Sequence, residues 1–265
     1  MKRSRILLIL LATVVGPIAL ADDGLPYLAT VTIERGPGAQ DLLGERIVST
    51  LHVDAPAKAA AALEDIDGLD VIGVDDTSVH IAFVDRPTVA GAADTRFLEN
   101  SWVVDFEEQA VRSLAADIRT ELEAVPTIDE LERYVHDHIV DKSYSRAFDL
   151  ASQVAASSSG DCTEHAVLLA AMARAHGHHA RVVIGNLILE SDSGLYAFGH
   201  AWTEIHDGQR WTIRDATLPE SGTNVQQLRY LPMAILNDEG PGYFMSLLNT
   251  MMSMPVRISG VGNPP

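Results

Sequence analysis

The sequence predicts an α+β fold, and three observations carry that expectation. Up to about Thr95 the apolar residues alternate in short runs, as strands with one buried face do. From about Phe106 the apolar spacing changes to the three-and-four repeat of helices. From Ala180 to Arg214 the chain returns to apolar runs of strand length, divided by turn signals. These changes suggest three parts: a leader over 1–21, a β-rich segment or small domain over 22–105, and a core with a C-terminal extension over 106–265.

The leader reading rests on Lys2, Arg3 and Arg5 ahead of an apolar run from Ile6 to Val15. Gly16 and Pro17 break the run, and Ala19-Leu20-Ala21 has the small-x-small form of a cleavage site. The run is short for a bilayer span. The expectation is a signal peptide with the mature chain starting at Asp22 and a periplasmic or secreted destination; a retained anchor is the alternative. No second membrane-spanning run follows in the sequence.

The strand candidates in the next segment are Tyr27 to Glu34, Ile47 to Val53 and Val79 to Phe83, with a short alanine-rich helix from Pro56 to Leu63. They fit either a small β-rich module or an extra layer on the main core. Glu107 to Glu123 then carries Ala110, Val111, Leu114, Ile118 and Leu122 at helical spacing. Thr127 with Glu130 three residues on is the pattern of a capping box, with Leu131, Val135 and Ile139 on the face that follows. Asp161 and Glu164 repeat the pattern for a helix running to about His176, where Gly177 stops it.

Charge narrows the partners. The chain carries a formal −18, and loss of the leader's three basic residues takes it to −21. Such a field repels a phosphate backbone, so nucleic acid is not an expected partner. His136 and His138 lie two apart and do not share a helix face, which argues against a metal pair. His176, His178 and His179 read as a polar helix-to-strand turn. No acidic loop matches a calcium motif. Neither a metal nor an organic cofactor is expected.

The chemistry centres on the single cysteine. Cys162 has no disulfide partner in the chain, and a lone thiol in an oxidising compartment is a liability unless buried or used. The capping pattern places it at the first position of its helix. There the unpaired N–H groups and the positive end of the dipole favour thiolate, the nucleophilic form. The Asp207-Gly208 dipeptide predicts a two-residue hairpin turn that pairs His206 with Gln209. Counting outward, that register sets His200 opposite Asp215 and Glu204 opposite Trp211, close enough for a carboxylate to orient an imidazole.

The segments GDCTEHAVLLAAMARA (160–175), ARVVIG (180–185), GHAWTEI (199–205) and WTIRDAT (211–217) resemble the transglutaminase-like superfamily, closely from about Val125 to Pro219. The resemblance implies a papain-like core in which the cysteine helix lies on an antiparallel sheet. It further implies that Cys162 attacks an acyl group, that His200 serves as base and then acid, and that Asp215 orients His200. It points to a cysteine hydrolase or acyltransferase acting on amide or peptide bonds of a protein or peptide substrate, whether protease, amidase, deamidase or crosslinking enzyme. An aliphatic-proline pair common after the helix-stop glycine is replaced here by His178-His179. For the side-chain oxyanion donor of crosslinking members, Tyr144 and Gln153 are the candidates upstream. A second reading is a weak or inactive module for binding or envelope assembly. A third is a thiol acyltransferase using a small activated donor, which requires a deep narrow pocket.

Overall fold

The computed structural model describes residues 30–37, 42–84, 88–142, 149–191, 194–218, 228–240 and 242–264. The proposed leader therefore lies outside the described residues, as does Tyr144. The structure is α+β, with one long curled sheet and helices gathered around a buried central helix.

The first part supplies β1 (Thr30–Arg35), β2 (Arg46–His52), α1 (Pro56–Leu63), β3 (Leu69–Val74), β4 (Ser78–Val84) and β5 (Thr88–Ala90). The helices α2 (Gln109–Leu122), α3 (Ile128–His138), α4 (Ala151–Ser157) and α5 (Cys162–Ala175) follow. Then come β6 (Ala180–Ser191), β7 (Gly194–His206), β8 (Arg210–Arg214), β9 (Leu228–Ile235), α6 (Gly242–Ser253) and β10 (Arg257–Gly262). The sheet order is β3-β4-β2-β10-β1-β7-β6-β9. The N-terminal strands thus extend the same sheet as the later ones, and the C-terminal β10 sits between β2 and β1. Pairings among β6, β7, β8 and β9 are antiparallel, while β1 and β10 run parallel.

The second edge of β7 is shared by two strands. β1 pairs with it at Ala197 and Phe198, and β8 pairs with it from Thr203 to His206. Among the described residues, Gly199 to Trp202 lie between these two ladders. The backbone N–H of Ala201 in that interval lies close enough to the Cys162 sulfur to favour its ionised form.

Helix α5 is buried all round. Thr163 to Arg174 are all buried. Its alanines let the backbone approach β7, where Thr203 Oγ1 donates to the Ala166 carbonyl at 2.8 Å. Even Arg174 is only 3% exposed. Its Nη2 meets Asp238 at 2.7 Å, and its Nε and Nη1 donate to the carbonyls of Ala180 and Glu99 at 3.0 Å each. A buried guanidinium persists here because its charge is paired and its N–H groups are used.

Candidate active site

Cys162 is the first residue of α5, at the tip of a capping box. Asp161 Oδ1 accepts the Thr163 N–H at 2.8 Å, and Glu164 Oε2 reaches back to the Asp161 N–H at 2.9 Å. Gly160 is required for this arrangement. A Cβ there would stand 2.2 Å from the Glu164 Cβ and 2.6 Å from its Cγ. Burial and the neighbouring Asp161 charge raise Glu164 to about 7, so the box carries a carboxyl that titrates near neutrality.

The structure brings Cys162, His200 and Asp215 together. His200 Nε2 donates to Asp215 Oδ2 at 2.7 Å, and the His200 ring lies close enough to Cys162 for each to shift the other's titration. With Nε2 committed to the carboxylate, Nδ1 is the nitrogen left for sulfur. All three residues are sealed, with exposures of 2%, 6% and 4%.

The hairpin that presents the pair differs from its sequence reading. Asp207 N donates to Arg210 O at 3.0 Å, and Asp207 Oδ1 accepts the N–H groups of Gln209 and Arg210 at 2.8 Å. The central residues are therefore Gly208 and Gln209, with Gly208 at φ +101° in the first central position, where such turns favour glycine. His206 pairs with Trp211, and Glu204 with Ile213 rather than Trp211. His200 and Asp215 are accordingly not directly opposed. Moving the turn by one residue slides the pairing by two positions, which preserves side-chain faces. Asp215, just past the end of β8, still reaches the imidazole.

Electrostatics follow from this enclosure. Burial pushes the Cys162 thiol up, against the pull of His200 and the Ala201 N–H. Burial alone would lower His200, but the charge and hydrogen bond of Asp215, with Cys162, raise it to about 10. Asp215 is also buried, yet it is held below the ordinary carboxylate value by His200, by the Tyr230 hydroxyl and by the Thr217 N–H.

Several residues that build the site escaped the sequence reading. Tyr230 on β9 donates to Asp215 Oδ2 at 2.9 Å, the same oxygen that His200 uses. Its ring meets Trp202 edge-on at 5.1 Å, and Trp202 stacks on His200 at 6.3 Å. Glu132 on α3 accepts the Asp215 backbone N–H at 2.6 Å. Pro232 disguised β9, because proline argues against a central strand; β9 is the last strand in the sheet order, where proline is tolerated. Glu132 gave no signal, since a buried carboxylate on a polar helix position is a tertiary fact. Gln153 is exposed on α4.

The expected histidine roles separate clearly. His136 Nδ1 donates to the Ala216 carbonyl at 2.8 Å, beside Asp215. His178 and His179 line a groove of about 520 Å³ with His206, at the C-terminal end of α5 and away from Cys162. His165, one turn from Cys162, is 1% exposed, and its Nδ1 donates to the Asp161 carbonyl at 2.6 Å.

Burial lowers His165 from 6.5 to about 4. The unfolded chain therefore takes up a proton as pH falls through 6.5, and the folded chain does so only near 4. Stability is lost over that window, by up to about 3 kcal/mol. Urea titrations at pH 7 and pH 4 on the native protein and on His165→Gln should show the native protein losing more by about that amount. Taking the difference cancels the other titrating groups. Parallel losses in the two proteins would discard this role for His165.

A buried thiol, an imidazole beside it and a carboxylate behind the imidazole define a thiol-triad arrangement on an α+β scaffold. The comparison with family models agrees: residues 112–216 match the Transglutaminase-like superfamily. The matched stretch runs from α2 to just past Asp215 and holds all three residues, so the resemblance read from sequence stands for this part of the chain. Solved structures similar to this chain include a candidate cysteine protease from Cytophaga hutchinsonii, at 14% identity and TM-score 0.43, covering 74% of this chain and 78% of that one. Another is the periplasmic domain of TgpA from Pseudomonas aeruginosa, at 18% identity and TM-score 0.45, covering 79% and 90%. A third, described as a TGase, aligns at 16% identity and TM-score 0.33 over 73% of this chain and 57% of its own length. No curated protein matches the sequence. Among the described residues, no helix is long and apolar enough to cross a membrane.

Proposed function

We propose that the protein is an exported cysteine acyl-transfer enzyme acting on amide bonds of protein or peptide substrates, with Cys162, His200 and Asp215 as its catalytic residues. The observation that carries this reading is the buried His200–Asp215 hydrogen bond with the Cys162 thiol beside the imidazole. The Cys162 sulfur attacks the carbonyl carbon and a C–S bond forms. As the tetrahedral intermediate collapses the C–N bond breaks, and His200 gives the proton taken from sulfur to the leaving nitrogen. Water or an amine then attacks the thioester, His200 accepts its proton, and the sulfur leaves. Backbone N–H groups at the start of α5 are candidates to hold the developing oxyanion. Asp215 and Tyr230 hold the imidazole in the tautomer that directs Nδ1 to sulfur.

The test is capture of the thioester. The protein is mixed with glutamine- and amide-bearing peptides, acid-quenched, and its intact mass is read. The expected result is a mass gain on Cys162, discharged by hydroxylamine as a hydroxamate and missing in Cys162→Ala and His200→Ala. Absence of any adduct, together with thiol alkylation indifferent to His200→Ala, would favour the binding-module reading instead.

A further inference from the structure

The peptide unit that joins Asp161 to Cys162 is held from several directions. The Asp161 N–H is taken by Glu164 Oε2 at 2.9 Å, and the Asp161 carboxylate accepts the Thr163 N–H at 2.8 Å. The Asp161 carbonyl accepts two donors from one residue: the backbone N–H of His165 at 3.0 Å and its ring Nδ1–H at 2.6 Å. The backbone bond is the ordinary first bond of a helix. The ring bond is an addition to it.

Burial sets this imidazole apart. His165 is 1% exposed, and its Nε2 has no hydrogen-bond partner among the described residues. A buried acceptor left unmatched is a cost that an apolar side chain of similar size avoids. The bond to Asp161 is what the ring gives in return. His136, with ring centres 6.4 Å apart, has its own Nδ1 committed to the Ala216 carbonyl. His176 makes the same kind of ring bond to the Met172 carbonyl at 2.7 Å, but the N–H across that peptide belongs to Ala173, inside the helix, where a carbonyl four residues back accepts it. The N–H across the Asp161 peptide belongs to Cys162. As the first residue of α5, Cys162 has no intrahelical acceptor for it. A trans peptide points its C=O and N–H in opposite directions, so a fixed carbonyl fixes the N–H. Hydrogen bonds accepted by the carbonyl also polarise that N–H and strengthen it as a donor.

We infer that His165 is a positioning residue for the oxyanion: its ring, bonded to the Asp161 carbonyl alongside its own backbone N–H, aims and polarises the Cys162 N–H toward the oxygen of an acyl group on the sulfur. This rests on the proposed function for the oxyanion, while the held peptide is observable without chemistry. His165 acts through that peptide and exchanges no proton with the substrate.

Two variants separate the ring bond from the ring's bulk. His165→Leu fills the space and removes the donor, while His165→Asn carries an N–H near the place of Nδ1. Circular dichroism melts at pH 7 confirm that each folds. Two reagents separate the oxyanion from the nucleophile. Acylation by p-nitrophenyl acetate forms an S–C bond, expels p-nitrophenolate and passes through an oxyanion. Attack on methyl methanethiosulfonate forms an S–S bond, expels methanesulfinate and builds no oxyanion. His165→Leu is expected to slow acylation by about tenfold or more, to leave the disulfide-forming reaction within about twofold with its pH profile unchanged, and to be largely rescued by asparagine. Equal losses in both reactions, or no loss in either, overturn the proposal. Nuclear magnetic resonance supplies a readout independent of turnover. The carbon-13 shift of the Asp161 carbonyl and the nitrogen-15 shift of the Cys162 amide should both move in His165→Leu and return in His165→Asn. Shifts that stay in place overturn the proposal whatever the rates. Shifts that move in a protein whose native form takes no acyl group from the ester would leave the held peptide standing and remove the enzymatic reading, so the two failures are distinguishable.

Discussion

Asp215→Asn is expected to slow iodoacetamide alkylation of Cys162 at pH 7 by about 10²-fold or more and to move its pH profile into the alkaline range. The carboxylate serves two oxygens' worth of donors: Oδ2 takes His200 Nε2 and the Tyr230 hydroxyl, and Oδ1 takes the Thr217 N–H. An asparagine has one oxygen. With that oxygen toward His200, its amino group confronts the Thr217 N–H. Flipped, it confronts Nε2, and the ring must turn its proton to Nδ1, toward sulfur, where it can no longer accept one. The charge effect points the same way. Burial lowers His200 and Asp215 is the largest influence opposing it, so without that carboxylate the imidazole falls from about 10. The thiol, itself raised by burial, then ionises without a cation beside it and only in alkali. Rates of Cys162 modification followed by mass spectrometry from pH 5 to 10 read both consequences. A profile unchanged from the native protein would mean that Asp215 does not govern the thiol.

Legibility in the sequence followed the range of the interactions. The capping box at Asp161 and Glu164 is local, and the sequence alone sets Cys162 at the head of its helix. The box at Thr127 and Glu130 did the same for α3. The turn at Asp207-Gly208 was located to within a residue but mis-centred, because Asp207 uses its own side chain to fold the turn one step later. Features that depend on distant chain were invisible. Helix α4 has no capping side chain of its own; Asp105 instead accepts both the N–H and the hydroxyl of Ser152, at 2.8 and 2.6 Å. The full burial of α5, with Arg174 satisfied by Asp238 and two carbonyls, is likewise a property of the assembled layers. The enclosure of the thiol belongs with these: the helix tip is a local effect, and burial of Cys162 is not.

The other large effect is expected at Gly185, which the β6–β7 register sets opposite His200. Gly185→Ala should lower the melting midpoint by about 10 °C, an order-of-magnitude loss of about 3 kcal/mol for a chain of this size. A Cβ at this position would lie 2.1 Å from the Leu231 carbonyl oxygen, 3.0 Å from its carbon and 2.9 Å from Trp202 Cη2. The first two are backbone atoms, so no rotamer change relieves them; β9 must move. The ladder is already irregular between Ile184 and Gly185, where Gly185 pairs with Pro232, whose nitrogen has no hydrogen to donate. Moving β9 carries Tyr230 away from Asp215 and loosens Trp202 against His200. Stability and thiol reactivity should therefore fall together in this variant. Gly208→Ala is the comparison: its φ is +101° but nothing stands within 4 Å, so the cost is confined to backbone strain, about 1 kcal/mol, with the thiol unaffected. Circular dichroism melts and alkylation rates on the two variants separate the cases. A Gly185→Ala protein melting with the native one would show that β9 yields freely and that Tyr230 is not held where the triad needs it.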